Sequence, residues 1–96
     1  MFEVILFYKY TTIEDPKKLV EDQLALCKKL ALKGRVLIAE EGINGTLEGE
    51  KQNIDEYCMA TASLFGFEDI HWKRSVGSGM TFPRLAVTLK KDIVSN

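Results

Sequence analysis

One histidine, two cysteines and two prolines are all that this 96-residue sequence holds of those residues, and each scarcity excludes something. Cys27 and Cys58 lack CxxC spacing, and with His71 alone beside them no metal quartet can be assembled, so neither a metal nor a cofactor is expected. A catalytic cysteine wants a nearby base, and only His71 is available. No apolar run approaches the roughly 20 residues of a membrane span. The opening "MFEVILFYKY" has no basic n-region or small-residue cleavage site, so it does not read as a signal peptide. Two free thiols in apolar contexts fit a reducing cytoplasm. An excess of one charge is missing too: 13 basic residues meet 14 acidic ones, for a net charge of -1 and a pI of about 5.8. That excludes a polyanion binder with a wholly basic surface and leaves room for a local basic strip.

What is present suits one folded domain spanning residues 1–96, with 46% hydrophobic and 28% charged residues. "FEVILFYKY" is rich in β-branched and aromatic residues and predicts a strand over Phe2 to Tyr10. Asp15 is a good N-cap and Pro16 a good first helical residue. The helix they open is expected to run to about Leu32, with Val20, Leu24, Cys27 and Ala31 on one stripe and Gly34 as its stop. "RVLIAE" predicts a second strand, "EEGIN" a turn and "NGTLEGE" a third strand. A second helix is expected from Lys51 to about Leu64, with Ile54, Tyr57, Cys58, Thr61 and Phe65 on one face. "IHWKRSV" reads as a short extra strand, "GSGMTFP" as a loop and "RLAVTLKKDIV" as the last long strand.

The order β-α-β-β-α-β, with an extra short strand before the last, is the plan of the α+β ferredoxin-like split βαβ fold. An antiparallel sheet with two helices on one face follows. The other face is expected to be more apolar than a freely solvated one, unless the "GSGMTFP" loop covers it.

Acids, glycines and an asparagine crowd into "EEGIN", which suits either an active-site loop or a plain hairpin turn. Glu40 and Glu41 are neighbours, so in a strand they would face opposite ways and could not work as an acid/base pair. The segment is not GxGxxG and lacks the Lys-Ser/Thr of a phosphate loop. Acylphosphatases share the fold but need an arginine in the first strand–helix loop, and "TTIEDP" has none. RNA-recognition modules share it as well and want aromatics on both central strands. The first strand offers Phe7, Tyr8 and Tyr10, but "INGTLEG" offers none. Basic residues beside aromatics in "HWKRSV" and "GMTFPRL" suit phosphate contact with base stacking. His71 alone reads as a surface or capping residue.

"FYKY", "DP", "GRVLIAEEGINGTLEG" and "FPRLAVTLKKDIV", in that order, resemble the N-terminal domain of the rhodanese-related tRNA uridine hydroxylases. The resemblance covers nearly the whole chain, and "GRVLIAEEGINGTLEG" is its most specific part. It implies a ferredoxin-like domain ahead of a rhodanese domain, in an enzyme that makes 5-hydroxyuridine at the tRNA wobble position with molecular oxygen. The catalytic cysteine of that family lies in the rhodanese loop. Neither Cys27 nor Cys58 sits in such a loop, so no catalytic residue is expected in this chain. Asn96 falls about where the family's linker would begin, so the chain is expected to be the N-terminal part of a longer one. The expected partners are the rhodanese domain and the anticodon region of tRNA, with no membrane. Candidate contacts to one or the other are Lys9, Tyr10, Glu41, Asn44, Lys73, Arg74, Arg84, Lys90 and Lys91. The competing expectation is a stand-alone interaction module that pairs through its open sheet face.

Overall fold

Alternation along the first strand decides which way the sheet faces. In the computed structural model, which describes residues 1–91, strand β1 is Phe2–Tyr10. Ile5 and Phe7 are buried, while Leu6, Tyr8 and Tyr10 are exposed on the other side. Of the two apolar sets in this strand, the shorter one turns inward.

Helix α1 (Pro16–Lys29) starts as its sequence predicts, the Asp15 side chain accepting a hydrogen bond from the Lys18 backbone N–H at 3.1 Å. It ends earlier than expected. The Leu32 N–H donates to the Cys27 carbonyl and the Ala31 N–H to the Lys28 carbonyl, at 2.9 and 3.1 Å. This is a Schellman close with Ala31, not glycine, in the left-handed region at φ 54°. Gly34 belongs instead to strand β2 (Lys33–Ala39). A Cβ there would lie 2.1 Å from the Thr46 carbonyl oxygen, so the glycine admits the neighbouring strand rather than stopping the helix.

Strand β3 (Gly42–Glu50) begins earlier than expected, because Ala39 pairs with Gly42 and only Glu40 and Glu41 form the turn. Ile43 and Asn44 are strand residues. The turn carbonyls are used: Glu41 accepts from Thr11 N–H at 3.0 Å and Glu40 from Ile13 N–H at 2.8 Å.

Helix α2 (Lys51–Ala62) buries Ile54, Tyr57, Cys58 and Thr61 as its spacing predicts. Phe65 departs from that reading. The helix closes at Ser63, the chain turns, and Phe65 is 100% exposed while Phe67 takes a place in the core.

Strand β4 (His71–Val76) pairs antiparallel with β1, and strand β5 (Leu85–Leu89) pairs parallel with β2. The sheet order is β4-β1-β3-β2-β5. The ferredoxin-like plan is therefore present, with its antiparallel four-strand core. The extra strand is β5 rather than β4, and it makes the sheet mixed. Asp92, Ile93 and Val94, expected in the last strand, lie outside the described residues.

Both helices cover one face, α1 over β2 and β5, α2 over β1 and β3. Ile5, Phe7, Val36, Ile38, Ile43 and Leu47 from the sheet meet Cys27, Leu30, Ile54 and Tyr57 from the helices. A polar chain crosses this core: Tyr57 O–H donates to Gln23 Oε1 at 2.5 Å, and Gln23 Nε2 donates to Thr61 Oγ1 at 3.2 Å. Every buried side-chain polar atom among the described residues is satisfied.

Candidate functional site

The face without helices is read in rows across the strands. One row runs His71, Tyr8, Asn44, Leu37 and Thr88. The next runs Lys73, Leu6, Thr46, Arg35 and Ala86, and a third runs Ser75, Val4, Glu48 and Lys33. Tyr10 extends β1 beyond the first row.

The β4–β5 connection covers the third row as a strap. Glu48, though buried, accepts from the Gly79 N–H at 3.0 Å and from the Thr81 N–H and Oγ1–H at 2.9 Å each. Burial alone would push its carboxyl up. The hydrogen bonds from Gly79, Thr81 and Ser78 outweigh that and hold it below the usual carboxylate value. The strap answers in part the expectation that this loop shields the sheet: it covers one end and leaves the other open.

That open end is a shallow depression of about 700 Å³, with Leu6, Tyr8, Tyr10, Asn44, His71 and Lys73 in its lining. Tyr8 and Tyr10 are 53% and 49% exposed, their ring centroids 6.3 Å apart and their planes at 66°. One half of the aromatic requirement of an RNA-recognition face is thus met, on a central strand, while β3 contributes polar Asn44 and Thr46.

Of the residues singled out from sequence, Tyr10, Asn44 and Lys73 come together here. Lys9 and Arg74 lie on the opposite, helix-bearing side. Lys9 Nζ is 2.7 Å from Asp69, which it holds below the usual carboxylate range. Arg74, its side chain 35% exposed, donates from Nε to Glu3 at 2.8 Å and also bonds Asp55, clamping the sheet edge to α2. Its hydrogen bond is the main cause of the lowered Asp55 carboxyl, with Lys51 second. Glu41 is in the hairpin turn. Arg84 and Lys90 flank β5 at its two ends, and Lys91 follows at the surface. Sequence reasoning left Leu6, Tyr8, Thr46, Arg35 and His71 outside the site. The i, i+2 spacing of Tyr8 and Tyr10 was the available signal for a shared face.

Neither cysteine is set up as a nucleophile. Burial pushes the Cys27 thiol up to about 12 and the Cys58 thiol up to about 11, the reverse of an activated nucleophile. In the β1–α1 loop, the Thr11 and Ile13 amides are committed to the hairpin turn instead of forming an anion cradle. Among the described residues no group of three or more metal-ligating side chains converges, and no helix is long and apolar enough to cross a membrane.

The fold is shared with solved proteins of low sequence identity. The dark-state BLUF protein BlrB superposes with a TM-score of 0.74 at 14% identity, covering 94% of this chain and 72% of that one. Full-length HypF, in a phosphate- and nucleotide-bound form, superposes with a TM-score of 0.62 at 16% identity, covering 95% of this chain and 12% of that one. Closer relatives are found by sequence. The tRNA uridine(34) hydroxylases of Staphylococcus aureus strains JH9 and N315 are 42% identical over 94 residues, 98% of this chain. The chain spans about 30% of the length of these relatives. Residues 2–93 match the model of the UPF0176 acylphosphatase-like domain, and the chain belongs to that family.

Proposed function

We propose that this chain is the accessory, RNA-contacting part of a tRNA wobble-uridine hydroxylase whose reactive cysteine lies elsewhere. The observation that carries the reading is the uncovered half of the sheet face, where exposed aromatic rings sit near Lys73 and the adjacent row carries Arg35 on β2. Basic side chains contact phosphates without regard to sequence and make binding salt-dependent. The names of the S. aureus relatives supply the kind of RNA. The two buried, unactivated thiols support a non-catalytic role.

Titration of the chain with tRNA, followed by fluorescence anisotropy at low and moderate salt, tests this. Binding should fall steeply with salt. Replacing Lys73 and Arg35 by Glu together should weaken it and flatten the dependence on salt concentration by one to two phosphate contacts' worth. Binding that is absent at low salt, or indifferent to both charge reversals, overturns the reading.

A second reading is favoured by a separate observation. Ile13, Leu19, Leu64, Phe65 and Phe67 contribute the apolar side of a second cleft, lined also by Thr11, Thr12 and Glu14 of the β1–α1 loop, with Phe65 wholly exposed. It suits docking of a rhodanese domain in a longer polypeptide. Phe65→Asp in a full-length homologue should then reduce hydroxylation while tRNA affinity stays unchanged.

A further inference from the structure

We infer that the open half of the sheet face is a site for an unpaired nucleotide, its base stacked on Tyr8 and its phosphate held by Lys73. The inference rests on the RNA-contact reading and specifies which part of an RNA this face takes.

Three observations converge. The first is charge. The two open rows carry Lys73 and Arg35 and no carboxylate, and neither cation is ion-paired among the described residues. Glu48, in the third row of this face, has its oxygens occupied by the strap. An anionic occupant of these two rows therefore meets two cations and no carboxylate within them.

The second is ring exposure. Tyr8 and Tyr10 are each about half exposed on β1; Tyr8 has a row residue on either side, and Tyr10 lies opposite Gly42 of β3. With the planes at 66°, the two rings cannot both stack on one base. Tyr8, in the first row between His71 and Asn44, supplies the platform, and Tyr10 forms a wall beside it. In a duplex the base faces are already occupied by their neighbours, so a stacking platform selects unpaired bases.

The third is unspent polarity. The carboxamide of Asn44 has no partner among the described residues although the side chain is half-buried, and it offers both a donor and an acceptor to a base edge. Lys73 stands opposite Leu6, one step along the same face from Tyr8, a diagonal spacing within reach of long side chains. Base platform and phosphate contact are thereby within the span of a single nucleotide.

The test compares a short fluorescein-labelled oligouridylate with a blunt RNA duplex of equal length, using the chain, Tyr8→Ala, Tyr8→Phe and Asn44→Ala. The single strand should bind more tightly than the duplex. Tyr8→Ala should weaken it by about tenfold, while Tyr8→Phe, which keeps the ring, should bind like the parent. Equal binding of Tyr8→Ala and parent, or duplex binding at least as tight as single-strand binding, overturns the inference. Salt-sensitive tRNA binding that survives Tyr8→Ala would leave the RNA-contact reading standing and this one fallen. Absence of binding to either RNA would sink both.

Discussion

Lys73 and Arg74 are consecutive in the chain and face opposite sides of the sheet. Lys73 shares a row with Leu6 on the open face, whereas Arg74 reaches Glu3 and Asp55 on the helix side. Two basic residues that look alike in sequence therefore do different work, and mutating them should separate the work. Lys73→Ala should leave thermal stability within about 0.5 kcal/mol of the parent and weaken RNA binding. Arg74→Ala should destabilise by about 1 kcal/mol, since its ion pairs are partly solvated, and leave the salt dependence of RNA binding intact. Denaturant melts alongside anisotropy titrations check both halves.

Ala31 closes α1 with φ 54°, a conformation that costs an L-residue about 1 kcal/mol. The residue is exposed, so its methyl group contributes little packing. Ala31→Gly should stabilise the fold by about 0.5–1 kcal/mol, read as a rise in Tm of several degrees for a domain of this size. A fall in Tm would mean that the methyl group matters more than the backbone strain.

Glu48 should give the stability a pH dependence. Its folded carboxyl titrates below the unfolded value of about 4.3. The stabilisation is therefore complete above that value and is lost as pH falls through the folded one. Glu48→Gln should flatten the acid limb of the stability curve and loosen the strap from Gly79 to Thr81. Chemical denaturation at several pH values below neutrality reads the first effect, and amide exchange at Gly79 and Thr81 the second.

Tyr57 and Gln23 make a test of buried polarity. Tyr57→Phe removes the donor to Gln23 Oε1 and leaves a buried acceptor unmatched, at a cost of about 1–3 kcal/mol. Adding Gln23→Leu should recover part of that loss, because both ends of the bond are then gone. A double variant as unstable as the sum of the singles would show that the two groups do not act together.

Local chemistry made much of this fold legible. The β-branched run of β1, the Asp15-Pro16 start of α1 and the Ile54, Tyr57, Cys58, Thr61 stripe of α2 are each set by residues within a turn or two of one another. What escaped depends on distant partners. Gly34 looks like a helix stop, but its reason is the Thr46 carbonyl of another strand. The roles of β4 and β5 are fixed by which strand each pairs with, which no local pattern records. The same holds for the site: Tyr8, His71 and Asn44 come from three strands, and only their register puts them in one row. Gln23 was invisible for the opposite reason, since a polar residue on an apolar stripe reads as solvent-facing until Tyr57 and Thr61 are seen beside it.

The strap has a further consequence, for the order in which the molecule comes apart. Among the described residues β5 pairs with β2 alone and rests on α1, and the connection that leads into it is tied to the sheet through Glu48. Its hydrogen bonds can be lost while the four-strand core and its helix contacts remain. Leu85–Leu89 then forms a separate cooperative unit at the sheet edge, opening by partial unfolding with a free energy below that of the whole domain. Once it opens, the outer edge of β2 is bared as a template for another strand, so the acid that releases Glu48 would also expose the chain to edge-to-edge association.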